Sequence, residues 1–329
     1  MKILIVNVSI IPVNFYGGTE RVIWGLGKEL VKLGHEVTFL VNKKSYCNFA
    51  SVIHIDKKKQ IIEQIRNDYD VVHFHFMPND LNKLHLPYLI TKHDNTNDLN
   101  ELDQNTVFVS RNHAARYNSN SFVYNGIDWG EYAPPNLKNE RNYFHFLGKA
   151  AWRVKNVVGA IQVIKTSKSE KLKVLGGVRF NFKMGMRFTF SPRVRFMGMV
   201  GGESKYQLIN GSKGLIFPVR WHEPFGLAII ESLYYGCPVF GTTYGSLPEL
   251  VKDDVGFLSN KSYEIARAIE DVGRYSRHRC HEYALNKFNV GRMTDEYVKK
   301  YKEVISGQKL NPNRPRLLVQ QENKFLDWE

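Results

Sequence analysis

The sequence predicts an α/β protein built from two doubly wound, Rossmann-like domains. Three observations carry that expectation. Apolar runs of strand length alternate with helical patterns, the alternation restarts after a proline-bearing break, and 329 residues exceed one ordinary core.

The first run, "KILIVNV", sits in an N-terminal stretch that could be mistaken for a secretory leader. Asn7 and Ser9 interrupt its apolar character and a glycine turn follows, so it reads as a buried first strand. "HEVTFLV", "DVVHFHF", "YLITKH", "TVFVS" and "SFVYN" continue the strands. "TERVIWGLGKELVKLG" and "KQIIEQIRN" supply helical patterns between them. Apolar strands separated by crossover helices indicate a mostly parallel sheet covered on both faces.

The break is "APPNLKNERN" (133–142), with two prolines and no apolar period. The pattern then resumes with "YFHFLGK", a helix over "NVVGAIQVIKTS", then "KLKVLGG", "VRFMGMV" and "GLIFPVR". A helix over "GLAIIESLYYG", then "PVFGTT" and "GFLSN", complete the second half. This gives a first domain over 1–135 and a second over 143–290. A helix over 291–306 is expected to cross back to the first domain, and the tail 307–329 matches nothing that can be placed. Ligands of such sheets bind at the carboxyl ends of the strands, so the cleft between the domains is the expected site.

Residues 179–196, "RFNFKMGMRFTFSPRVRF", break the rhythm. Aromatic residues alternate with basic or polar ones around Met184-Gly185-Met186, which predicts a β-hairpin where a helix would otherwise fall. The segment carries Arg179, Lys183, Arg187, Arg193 and Arg195 and no acid. The expected ribbon packs one face on the domain and solvates the other. The same interleaving suits an anionic surface or single-stranded nucleic acid.

Composition narrows the function. The net charge is +14, with residues 1–130 near neutral at 14 Lys+Arg against 13 Asp+Glu, so the second half is strongly basic. An anionic ligand, an anionic membrane surface or nucleic acid would suit it. Cys47, Cys237 and Cys280 are odd in number and unclustered, which points to a reduced, cytoplasmic protein rather than a disulfide scaffold or a zinc site.

The chemistry concentrates in "EPFGLAIIESLYYGCPVFGT", from Glu223 to Thr242. A strand ends near Arg220 and "WHEPF" turns into a helix starting near Gly226. The backbone N–H groups of Phe225, Gly226 and Leu227 then form an anion or polyol site with the positive end of the helix dipole. Glu223 precedes this cradle and can accept hydrogen bonds from hydroxyls. Glu231 lies about a turn and a half inside an apolar helix, where an ionised carboxylate needs a partner. A ribose diol would serve, so the stretch suits a nucleotide-sugar.

These residues resemble the E-x7-E signature of retaining glycosyltransferases of family 4, which have the GT-B fold. "GGTERV", "LITKHD", "VYNGID", "FLGKAAWRVKN", "LKVLGG" and "VRFMGMV" resemble further landmarks of that family in the same order. The resemblance implies that Glu223 contacts the donor sugar and Glu231 holds the ribose. Lys149 and Lys155 would grip the diphosphate, at positions where the family commonly has Arg and Lys. Two departures are Lys for Arg at 149, which loses a bidentate fork, and Asn for Gly at 156. Gly17 and Gly18 would admit the diphosphate, His93 would lie beside the reacting sugar, and Gly198 near the base. The family's usual proposal is front-face attack, with the leaving phosphate taking the acceptor's proton.

Plainer readings compete. Glu231 could be a helix carboxylate paired with a basic neighbour, Lys149 and Lys155 solvated surface, His93 a satisfied core histidine, and Gly17-Gly18 a simple turn. Asp68-Tyr69-Asp70 spells a D-x-D metal motif but stands at a strand entry, and His73 and His75 lack an evident third ligand. The expectation is a cytoplasmic, metal-independent retaining glycosyltransferase needing no cofactor, with UDP as first and GDP as second donor nucleotide. Its acceptor would be a carbohydrate or lipid-linked hydroxyl in surface polysaccharide or glycolipid synthesis, with peripheral contact to the inner face of an anionic membrane. The alternatives are a nucleotide-sugar epimerase or hydrolase of the same fold, and a non-catalytic binder of anionic ligands or nucleic acid using 179–196.

Overall fold

A computed structural model of the protein describes residues 1–13, 17–182 and 187–329. The chain divides into two units. The first comprises Met1–Val13, Gly17–Trp129 and Phe288–Gln321, and the second Gly130–Lys287 and Glu322–Glu329.

The first unit holds β1 (Lys2–Val6), α1 (Gly18–Lys32), β2 (Glu36–Val41), β3 (Ser51–His54), β4 (Val71–Phe74), β5 (Tyr88–Lys92), β6 (Thr106–Phe108) and α2 (Arg111–Arg116). Its strands pair in parallel in the order β3-β2-β1-β4-β5-β6. The central strands are buried on both sides, as a sheet with two covered faces requires. The 15 residues of α1 bury Val22, Ile23, Leu26 and Leu30 along one stripe.

Two sequence expectations change here. "KQIIEQIRN" is no α-helix but a 3-10 turn at Ile62–Gln64, where the Gln64 amide bonds the carbonyls of Asp56, Lys59 and Gln60. So short a segment cannot recover the cost of nucleating a helix. "SFVYN" makes only an isolated parallel bridge, Phe108 to Phe122, at the end of the sheet. The short edge strand β3, only partly buried, had no clear alternation to announce it. Asp68 and Asp70 serve local structure: Asp68 meets Lys2 and Arg66, and Asp70 accepts the Lys2 backbone N–H.

The second unit repeats the plan with β7 (Phe144–Leu147), α3 (Val157–Thr166), β8 (Leu172–Leu175), β9 (Phe180–Asn181), β10 (Arg187–Phe188), β11 (Val194–Phe196), α4 (Gly202–Asn210), β12 (Leu215–Phe217), α5 (Leu227–Tyr234), β13 (Val239–Gly241), α6 (Leu247–Leu250), β14 (Gly256–Leu258), α7 (Ser262–Glu270) and α8 (Arg277–Lys287). Its six-stranded parallel sheet runs β11-β8-β7-β12-β13-β14. Counted within each unit, both sheets have the order 3-2-1-4-5-6, the doubly wound order whose switch point lies beside the first strand. β9 and β10 form a separate antiparallel ribbon, as the alternation in 179–196 predicts; Lys183, Met184, Gly185 and Met186 lie outside the described residues.

The proline-bearing stretch 133–142 lies within the second unit and is held there. The buried Arg141 donates to the carbonyls of Tyr235 and Gly236 just past α5, and to that of Ser212. Arg277 donates to the carbonyls of Leu137 and Asn139. The Arg141 fork satisfies carbonyls just past the ends of α4 and α5.

The last helix, α9 (Val290–Ile305), belongs to the first unit and packs on α1, β4 and β5. The tail is divided. Asn311 binds the carbonyls of Gln104 and Thr106 in the first unit. In the second, the Leu326 carbonyl accepts from Arg220, and Trp328 donates to Gln162. Among the described residues no helix is long and apolar enough to cross a membrane.

Candidate active site

The carboxyl ends of β7, β11 and β12 gather Lys149, Lys155, Gly198, Glu223, Phe225, Gly226, Leu227 and Glu231 in the second unit. Gly226 is the N-cap of α5 with φ of 87°, a left-handed conformation that favours glycine. No side chain caps this helix start. The loop before it is braced from outside. Gly245, at φ of 63°, lies so close that a Cβ there would come within 2.3 Å of the Glu223 nitrogen. Ser246 then donates its N–H to the Glu223 carbonyl and its hydroxyl to that of Phe225.

Glu223 is buried, and its Oε2 takes two donors: Lys155 Nζ at 2.5 Å and Trp221 Nε1 at 2.8 Å. The Lys155 ammonium also lies 5.0 Å from the centre of the Trp221 ring, so cation–π attraction adds to the ion pair. Lys155 is 8% exposed, which removes the reading of a solvated surface lysine. Lys149, in contrast, follows β7 as an exposed side chain. The asparagine at 156 has a physical account. It adopts φ of 57°, which Asn tolerates better than most residues, caps α3 by accepting from Gly159 N–H, and donates to the Pro218 carbonyl.

Glu231 is also buried and paired. Its Oε1 accepts from Lys205 Nζ at 2.6 Å and Tyr132 OH at 2.5 Å. The basic neighbour of the plainer reading therefore exists, but it is as deeply buried as the glutamate, with side-chain exposures of 4% and 8%. Sequence reasoning missed Lys205 and Tyr132. A signal was present, because Lys205 lies one helical turn from the buried Ile209 on α4 and so on that helix's apolar stripe.

The remaining named residues lie in the first unit. Gly17 is the N-cap of α1 and Gly18 its first residue. A cavity of about 430 Å³ is lined by Asn7, Ser9, Thr19, Glu20, His75 and His93, among others. His93 is joined to a histidine stack. Its Nε2 meets His75 Nδ1 at 2.9 Å, the His75 ring lies 4.2 Å from His73, and His73 bonds Tyr301 OH and Thr91 Oγ1. Burial pushes all three imidazoles toward the neutral form, His93 down to about 4.

Neutrality fixes the protons. Among the described residues His75 Nε2 is buried without a partner. Were that nitrogen protonated, a buried N–H would be orphaned, whereas a bare lone pair there costs less. His75 therefore donates from Nδ1 to His93 Nε2, and His93 keeps its proton on Nδ1. His93 is thus built as a hydrogen-bond donor. The buried Asn7 Nδ2 and Thr106 Oγ1, on the same cavity, also lack partners among the described residues. Among the described residues no set of His, Cys, Asp and Glu converges on a metal position.

Residues 131–287 match the family model for glycosyl transferases group 1. A 95-residue segment is 33% identical to an uncharacterised 41.2 kDa protein in the cps region of Klebsiella pneumoniae, covering 27% of this chain and 26% of that one. An uncharacterised glycosyltransferase of Methanocaldococcus jannaschii is 21% identical over 184 residues, 50% of this chain and 46% of its own. The chain thus matches less than half the length of these curated relatives. Among solved structures, AviGT4, a glycosyltransferase involved in avilamycin A biosynthesis, superposes with a TM-score of 0.73 at 20% identity, covering 93% of this chain and 98% of its own. An Anabaena protein, HepE, solved in complex with UDP-glucose, gives 0.64 at 18% identity over 92% and 100%. At such identities the structural likeness establishes the fold. The chain has the GT-B fold, and its residues 131–287 match the family model for glycosyl transferases group 1.

Proposed function

We propose that the protein is a retaining glycosyltransferase of family 4 that moves a sugar from a nucleoside-diphosphate donor to an acceptor hydroxyl. The observation that carries the reading is a pair of buried carboxylate–lysine contacts eight residues apart, Glu223 with Lys155 and Glu231 with Lys205, flanking an uncapped helix start. Burying two such ion pairs is costly for a fold that does not use them. Glu223, whose Oε1 has no partner among the described residues, is assigned to the donor sugar's hydroxyls, and Glu231 to the ribose. Lys149, Lys155 and the N–H groups of Phe225, Gly226 and Leu227 are assigned to the diphosphate, Gly17 and Gly18 to its approach, and Gly198 to the base.

Transfer proceeds through an oxocarbenium-like state. The C1–O bond to the diphosphate breaks, the acceptor oxygen bonds to C1 on the same face, and the departing phosphate oxygen takes the acceptor's proton. Negative charge grows on the leaving group, where Lys149, Lys155 and the start of α5 stabilise it. His93 donates from Nδ1 to a sugar hydroxyl.

UDP is the first donor nucleotide to try and GDP the second; the HepE complex with UDP-glucose supports that order. The cps-region relative supports a place in surface polysaccharide or glycolipid synthesis, with a carbohydrate or lipid-linked acceptor. The reading requires no metal or cofactor, and takes the protein to be cytoplasmic and peripheral on the inner face of the membrane.

The test incubates the protein with UDP- and GDP-sugars and candidate acceptors in EDTA. It follows nucleoside diphosphate release, and NMR assigns the anomeric configuration of the product. Acceptor-dependent release with retained configuration is expected. Release without any acceptor product would favour a hydrolase, and interconversion of the donor sugar an epimerase.

A further inference from the structure

The β9–β10 ribbon has its faces the opposite way from an ordinary amphipathic hairpin. Thr189, on the polar register, is 5% exposed, and the Arg179 guanidinium is spent on the carbonyls of Thr189 and Val194. The aromatic register faces solvent: Phe180, Phe182, Phe188 and Phe190 are 47%, 70%, 49% and 78% exposed. Their rings touch one another, with centroids 5.7 to 5.9 Å apart from Phe182 through Phe188 and Phe180 to Phe190. A domain does not leave four clustered phenylalanines in water without an apolar partner for them.

We propose that this ribbon docks the protein on an anionic membrane surface, its phenyl cluster entering the boundary between headgroups and acyl chains. Phenyl rings offer no hydrogen bond, so the partner is apolar where they meet it. The surrounding sequence is cationic, with five Lys or Arg and no acid over 179–196. Arg195 is exposed on β11, in register with Lys173 of β8. Apolar insertion from a segment of cationic sequence is the pattern of interfacial anchors on anionic lipid. A second copy of the same ribbon would bring like charges together. For single-stranded nucleic acid the rings are poorly arranged, because they pack on each other rather than standing apart as stacking platforms. The inference does not rest on the donor-site reading, since vesicle binding reports no turnover.

The experiment is flotation of the full chain with vesicles of phosphatidylcholine alone and with about 30% phosphatidylglycerol, at low and high salt. The expected result is flotation on the anionic vesicles, weakened by salt. Phe182→Ser with Phe190→Ser should lower the partition coefficient tenfold or more while leaving the melting temperature unchanged, because both rings are exposed. Absence of flotation at low salt would overturn the proposal, as would undiminished flotation of the double variant. Two further results would also overturn it: oligothymidylate binding that depends on these rings without flotation, or a ring-dependent dimer that does not float.

Discussion

Replacing Lys205 with methionine keeps the volume of the α4 side chain and removes its charge. The Glu231 carboxylate, 6% exposed, then faces Tyr132 without its ammonium. Deleting one partner of a buried ion pair costs about 3–5 kcal/mol, far more than an exposed pair is worth. A domain of this size moves by about 2–4 °C per kcal/mol, so the unfolding of the second unit should shift down by about 6–20 °C. Adding Glu231→Gln should restore much of the loss, because the amide still accepts from Tyr132 and the buried negative charge is gone. The deficit of Lys205→Met should also shrink at a pH low enough to protonate the carboxyl. Calorimetric melting of the wild type, both single variants and the double gives the coupling directly. Additive effects, or a Lys205→Met shift under about 2 °C, would refute the claim that the pair is buried and mutually dependent.

Burial lowers the proton affinity of His73, His75, His113 and His145, the last to about 3, and of His93 to about 4. The unfolded chain protonates its histidines near 6.5, so it binds protons first and stability should fall as pH drops from 6.5 toward 5. The slope is about 1.4 kcal/mol per pH unit for each histidine involved; urea melts with the same midpoint at pH 7 and pH 5 would contradict it. His75→Phe should release the His93 proton from Nδ1, visible as mixed tautomers in ¹⁵N spectra of the imidazoles, and His75→Asn should restore it by supplying a donor near the same position. Gly245→Ala should disturb the Glu223 loop through backbone contact, lowering donor turnover by tenfold or more while α5 and the Glu231 pair persist. Wild-type turnover in that variant would remove the bracing role.

The two sheets were legible because buried parallel strands are largely apolar, and "KILIV" or "LIF" cannot be much else between glycine turns. The glutamates at 223 and 231 were legible for a related reason, since a carboxylate in so apolar a stretch demands a partner. What that partner is was not legible. Lys205 lies 26 residues before Glu231 on another helix, and only the fold brings them together. The His75–His93 bond likewise spans adjacent strands, at a register that periodicity does not give. The ribbon at 179–196 was foreseen as antiparallel, but which face it buries depends on whether Arg179 finds backbone carbonyls, a tertiary fact.

The central claim is that the second unit holds a nucleoside diphosphate through Glu231 and the start of α5. Isothermal titration with UDP, GDP and ADP in EDTA, on wild type and Glu231→Gln, tests it most directly. Selective binding of one nucleotide is expected, with a loss of about 1.5–3 kcal/mol, roughly tenfold to a hundredfold or more, in the variant. A folded wild type that binds none of them, or a variant that binds as tightly as the wild type, would contradict it.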